Sequence, residues 1–358
     1  MDHDSRRTGK AATLRATCIL AAAVGAAIPC GSESPISKPA APAPRQGHAL
    51  VAEKGGRLHL IGGNDGARIL WEHWIYDIAR GSWEQLPFPA EVRPLNSMDA
   101  VNAGGRIVVI GSYPEPISAR RGPSVGEYPQ TGTEPRLMDS VYIYEPCAAA
   151  WRVYHPRPAP SDRLAYSIAA LPDGKVLLFG GEELLKSGWS DRNDTWLLDP
   201  SSGTWSLVET TDGPSARRLA VVGSIAGGRL VLAGGSAAED ELLTDSWEYD
   251  PEARSWTQIA SANAPAFAIA AGVSLPDGSF ILQRQLVTLQ RQIVADQYPG
   301  DLWRYDPAWG KWEESGCLEC IEPRQSPLAA IGEDIWMFSG SRGEELYFGL
   351  EVFGPDGR

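Results

Sequence analysis

Between residues 160 and 205 the apolar positions come in four short runs, each closed by turn residues, and no helical period connects them. Leu164 to Leu171 ends at Pro172-Asp173-Gly174, where Pro presets φ and Gly accepts a positive φ. Val176-Leu177-Leu178-Phe179 is closed by Gly180-Gly181, and a polar loop follows. Thr195-Trp196-Leu197-Leu198 then leads into Asp199-Pro200-Ser201-Ser202-Gly203, and a fourth run opens at Trp205. Runs of this length between such turns predict strands.

The unit recurs along the chain. Its second run and paired glycines return as Arg57 to Gly63 and Arg229 to Gly235, with weaker copies at Ile107 to Ser112, Phe280 to Gln283 and Ile335 to Gly340. The third run returns as Trp74 to Asp77, Tyr142 to Pro146, Trp247 to Pro251 and Trp303 to Pro307. The fourth-run tryptophans are Trp83, Trp151, Trp205, Trp256 and Trp312, at successive spacings of 68, 54, 51 and 56 residues. Four strands repeating about every 50 residues predict a propeller built from small antiparallel blades. Each sheet hides its faces only against its neighbours. The diglycine lets a ring or backbone approach the second strand, and the fourth-strand Trp fills the gap between blades.

These landmarks resemble the kelch-repeat family, also seen in the central domain of galactose oxidase. The resemblance spans residues 45–358 and implies an all-β, six-bladed propeller with four-stranded antiparallel blades. The last repeat stops at Gly354-Pro355-Asp356-Gly357-Arg358, the turn after which a fourth strand is due. A segment around Ile36 is placed to supply that strand; a three-stranded last blade is the alternative.

Residues 1–29 read as a signal peptide, with Arg6, Arg7, Lys10 and Arg15 ahead of the apolar run Cys18 to Ile28. Ser5-Arg6-Arg7 also permits a twin-arginine signal, although Thr8-Gly9 are not the apolar residues that usually follow. Ala27-Ile28-Pro29-Cys30 resembles a bacterial lipobox, which implies lipidation of Cys30, with Pro29 departing from the pattern; cleavage after Ala26 is the alternative. Residues 30–44, with four prolines, form a tether. The expected location is the periplasm or, as a lipoprotein, the outer membrane or cell surface; otherwise the protein is secreted.

Two stretches interrupt the repeat, Tyr113 to Arg136 in the second unit and Arg284 to Gly300 in the fifth. Both join second to third strands, so they rim one face, where binding or mere surface decoration is expected. Arginine precedes the first strand at Arg45, Arg163, Arg217 and Arg324, with Arg93 a looser candidate and Phe267 in its place in the fifth unit. Such guanidiniums either converge on a carboxylate, sulfate or sugar acid, or pair with acidic neighbours and tie blades together.

The net charge is −13, and losing residues 1–29, with four basic and two acidic residues, takes it to −15. Nucleic acid and anionic membrane surfaces are thereby disfavoured, leaving membrane contact to a lipid anchor. Cys317 and Cys320 allow a local disulfide in an oxidising compartment. A zinc site lacks two further ligands. Galactose oxidase-like copper chemistry needs histidines from several blades, whereas His48, His59 and His73 all fall in the first. No metal and no cofactor are expected. The expected function is non-catalytic binding of a protein, peptide or glycan by a monomer. The alternative follows from a resemblance to periplasmic sialic-acid mutarotases in length, export signal and blade number, with the arginines holding a sugar carboxylate and Glu182 or Glu183 as acid/base.

Overall fold

A computed structural model describes residues 41–89, 91–92, 98–111, 138–185, 188–210, 212–238, 241–259, 265–267, 269–286, 288–289, 292–293, 300–317, 326–342 and 345–357. Five four-stranded antiparallel sheets follow one another, each in plain sequential order. The first comprises Ala49–Glu53, Arg57–Ile61, His73–Asp77 and Ser82–Leu86. The second comprises Asp99–Ala103, Arg106–Ile110, Val141–Glu145 and Ala150–Tyr154, and the third Ser167–Ala170, Val176–Phe179, Thr195–Asp199 and Thr204–Val208. The fourth comprises Val221–Ser224, Leu230–Ala233, Ser246–Asp250 and Ser255–Ile259, and the fifth Ile269–Ser274, Phe280–Leu286, Asp301–Asp306 and Lys311–Cys317. A sixth sheet has three strands among the described residues, Leu328–Ile331, Asp334–Arg342 and Glu345–Phe353. Ile36 lies outside the described residues. No helix among the described residues is long and apolar enough to cross a membrane.

Two elements differ from the sequence reading. The run Leu164 to Leu171 is split at Ala165, whose φ is +54°, so Arg163–Leu164 leaves the blade before Ser167–Ala170 begins it. The polar loop after Gly181 is a hairpin, Glu182–Leu185 against Gly188–Asp191, and Glu182–Glu183 pairs with Arg163–Leu164. Its polar composition hid a strand whose charges are neutralised locally: Arg218 meets Asp191 and Glu182, and Arg192 meets Glu183.

The first strands of consecutive sheets lie side by side, and that of the first sheet also adjoins that of the sixth. Six apolar clusters occupy the seams. Leu50, Leu60 and Trp74 meet Ala329 and Phe338 between the first and sixth sheets, as Val176 and Leu178 meet Val108 and Ile110 between third and second. The fourth-strand tryptophans project into these seams, where Trp312 is fully buried and Trp83 stands edge-on to Phe338. Two of them carry a hydrogen bond across. Trp256 Nε1 donates to Thr195 Oγ1 at 3.0 Å, and Trp312 Nε1 to Ser246 Oγ at 2.9 Å. The hydroxyl sits at the residue before the third-strand Trp, so one sheet caps the indole of the next.

Between the first and second sheets that hydroxyl is replaced by His73, which packs on Tyr144 and Trp151. His73 Nε2 lies 2.9 Å from His59 Nδ1, and His59 Nε2 lies 3.0 Å from Glu53. Burial lowers the pKa of both rings; the Glu53 carboxylate partly opposes this at His59, and the His59 charge adds to it at His73. The folded chain therefore binds these protons more weakly than the unfolded chain does. The stability from this pair is undiminished above about pH 6.5 and is lost as the pH falls towards the folded values. Urea melts of the parent chain and of His73→Phe at pH 8 and pH 5 are expected to show the pair's contribution directly: the variant's midpoint changes less unfavourably on going to pH 5 than the parent's.

Candidate functional site

In an antiparallel sheet alternate connections gather at one end. The approach to each first strand and the loop between second and third strands therefore share an end of the blade, and three side chains bind them together. Arg163 is buried and uses all of its donors: Nε to Ser161 O, Nη1 to Gly180 O and Asp194, Nη2 to Ser161 Oγ and, at 3.0 Å, Asp194 Oδ2. Arg217 repeats the set with Ser215, Gly234 and Asp245, its Nη2 lying 2.8 Å from Asp245 Oδ2. Arg45 donates to Ala43 O, Gly62 O and Glu72 Oε2, while its backbone N–H reaches Ser339 Oγ of the sixth sheet. The same carboxylates take the indole N–H two residues on: Trp74 to Glu72, Trp196 to Asp194, Trp247 to Asp245 and Trp303 to Asp301. Burial pushes the Asp194 and Asp245 carboxyls up, but the arginine hydrogen bonds and charge, with the indoles, outweigh it and hold both below the usual carboxylate value.

The second glycine of the pair completes the joint. At Gly181 φ is +92°, and a Cβ there would stand 2.7 Å from the Leu164 carbonyl, directly after the arginine. Gly63 has the same relation to Gln46 O, and Gly235, at 2.6 Å, to Arg218 O. Only glycine fits that conformation and that gap together.

Of the two alternatives for the arginines, pairing with an acidic neighbour describes Arg45, Arg163 and Arg217; Arg324 and Arg93 lie outside the described residues. In the fifth sheet Phe267 is fully buried and the guanidinium comes from another strand, Arg284 donating to Asp301 and to Ala266 O above the Trp303 ring. Glu182 and Glu183, proposed as acid/base, face Arg218 and Arg192. Cys317 is half-buried at the end of the fifth sheet, whereas Cys30 and Cys320 lie outside the described residues. Among the described residues no three His, Cys, Asp or Glu side chains cluster as metal ligands would.

Sequence reasoning missed the acids. Their signal was present, since Glu72, Asp194, Asp245 and Asp301 each stand two residues before a third-strand Trp. It also missed what the loops display. Trp71, between the second and third strands of the first sheet, is 44% exposed and meets Phe88 edge-on, and Leu185 is exposed on the hairpin.

Comparison with known proteins agrees with this geometry. Residues 130–282 match the family model of the KLHDC2/KLHL20/DRC7 Kelch-repeats domain. That stretch, from the end of the second unit into the fifth, is similar to kelch repeats. Relatives include an F-box/kelch-repeat protein of Arabidopsis thaliana, 26% identical over 61% of this chain and 45% of that protein. Beta-scruin of Limulus polyphemus is 27% identical over 56% of this chain and 21% of its own length. Kelch domain-containing protein 1 of Mus musculus is 22% identical over 85% of this chain and 77% of the mouse protein. The chain thus spans less than half the length of the first two of these relatives.

The joint makes a quantitative prediction. Asp245→Ala strands the fully buried Arg217 guanidinium and is expected to cost about 3 kcal/mol. Asp173→Ala, at the exposed pair with Lys175, is expected to cost less than about 1 kcal/mol. Chemical denaturation of both variants checks the contrast.

Proposed function

We propose that this chain is an exported, non-catalytic six-bladed kelch propeller that binds a protein partner on the face carrying its second-to-third-strand loops. The observation that carries the reading is the display of Trp71 and Leu185 at an end of the sheets where buried arginine–acid joints hold the connections rigid. Large side chains presented from such a scaffold are the usual anchors of protein interfaces. A ring of six blades is supported by six seams, including the one that joins the first and sixth sheets. Export is supported by the basic and apolar start of the chain, and anchoring by Cys30 at the end of that run. The kelch relatives fit an interaction domain better than an enzyme, since a propeller fold by itself specifies no chemistry.

The test is affinity capture of envelope proteins on the exported domain, followed by titration of a purified partner. Trp71→Ala and Leu185→Ser are expected to weaken binding at least tenfold. Trp309→Ala, in the turn between third and fourth strands of the fifth sheet and so at the other end of its blade, is expected to leave it unchanged. Equal effects at both ends, or capture only by glycans on an array, would remove the reading. Cys30→Ala is expected to move the protein from the membrane to the soluble fraction.

A further inference from the structure

The six first strands enclose a cavity of about 670 Å³, within the range of small-molecule sites. Its walls are built largely of small residues, among them Ala49, Ala100, Ala169, Ala271, Gly272 and Ala329, so no bulky side chain fills it. Among the described residues no lysine or arginine lines it, and Asp99 is the single carboxylate.

The hydrogen bonding of the wall is one-sided. The hydroxyls of Ser167, Ser224 and Ser326 donate to the carbonyls of Ala220, Ala170 and Phe338. The side-chain amide of Gln46 donates to Asn64 Oδ1, and that of Gln285 to Gln283 Oε1 and Ser326 O. Each of these bonds engages a side-chain donor and leaves the oxygen of the same side chain able to accept. The Asp99 carboxylate, partly buried beside Tyr166, receives no hydrogen bond or ion pair among the described residues; the Tyr166 hydroxyl donates to Ile110 O. At the corresponding pairing position the other sheets carry Ala49, Ser167 and Val221, so packing does not require an acid there.

We propose that this cavity is a binding site for a small organic cation, a primary alkylammonium, with Asp99 as its counter-charge and the Gln46 and Gln285 amide oxygens as further acceptors. An ammonium brings three donors and no acceptor, which matches a wall with surplus acceptors and one uncompensated negative charge. A carboxylate ligand would meet the Asp99 charge with no lysine or arginine among the described lining residues to offset it. The inference stands apart from the partner surface, which is formed by loops and not by the first strands.

Among the described residues the other titratable groups on the wall are His48 and Tyr166. Burial and the Arg45 charge lower His48 to about 3, so it is neutral at working pH, and burial with the Asp99 charge raises the Tyr166 phenol well above its ordinary value. Burial also raises the Asp99 carboxyl to about 7. Ligand affinity is therefore set by Asp99 over the neutral range.

The experiment is calorimetric titration of the whole chain with n-butylammonium, 1-butanol and butyrate at constant ionic strength. One-to-one binding of butylammonium alone is expected. The amine stays protonated throughout, so its affinity is expected to rise roughly tenfold from pH 6 to pH 8 as Asp99 ionises. Asp99→Asn, nearly isosteric and relieved of a buried charge, is expected to fold, by circular dichroism, and to lose the binding. Because the pH arms use the unaltered protein, the test does not depend on that variant. Binding of butanol or butyrate as tight as that of the amine, a pH-independent affinity, retention of binding by Asp99→Asn, or no heat from butylammonium at millimolar concentration would each overturn the proposal.

Discussion

The structure depends on a buried guanidinium held by a carboxylate that also accepts an indole N–H. In the third and fourth sheets five arginine donors meet five acceptors on one carbonyl-rich joint, so the cost of removing the charge from water is met by complete pairing. One joint fixes three things at once: the approach to the first strand, the loop after the second strand and the start of the third. An incomplete set of partners would be worse than none, since a buried cation without its acid is among the most destabilising defects a fold can carry. The fifth sheet shows that geometry rather than chain position is what matters. There Arg284 comes from the second strand, yet it meets Asp301 and the Trp303 ring much as the others meet theirs.

Packing between sheets follows a second, apolar rule. Alternation along each strand sends successive side chains to opposite faces, so Ala49 and Val51 belong to the seam with the second sheet while Leu50 belongs to the seam with the sixth. The tryptophans add area and, at Trp256 and Trp312, a hydrogen bond to the preceding sheet's hydroxyl. Where His73 stands in place of that hydroxyl the seam trades a neutral cap for a protonatable ring next to Trp151, which makes this seam sensitive to pH.

The sheets were legible because their signals are local: turn residues, paired glycines and a Trp at fixed order suffice to place four strands per repeat. The arginines were legible as a set, but not their destination, because the partner acid lies 27 to 31 residues away and only folding brings the two together. The hairpin Glu182–Leu185 with Gly188–Asp191 escaped notice for a related reason. Its charged residues read as loop until Arg192 and Arg218 are seen beside them. Asp99 is the reverse case, a polar residue that a strand pattern absorbs without remark and that only the surrounding wall makes unusual.

The seam between the first and sixth sheets has a consequence for biosynthesis. Arg45 and Ser339, which meet there, are 294 residues apart in the chain. A nascent polypeptide therefore shows Leu50, Leu60 and Trp74 to solvent until the sixth sheet emerges, long after the middle sheets have found their neighbours. That late annealing of the two ends makes the half-made chain a natural client for holding chaperones, and makes substitutions in Ala329 or Phe338 weigh more on yield than their size would suggest.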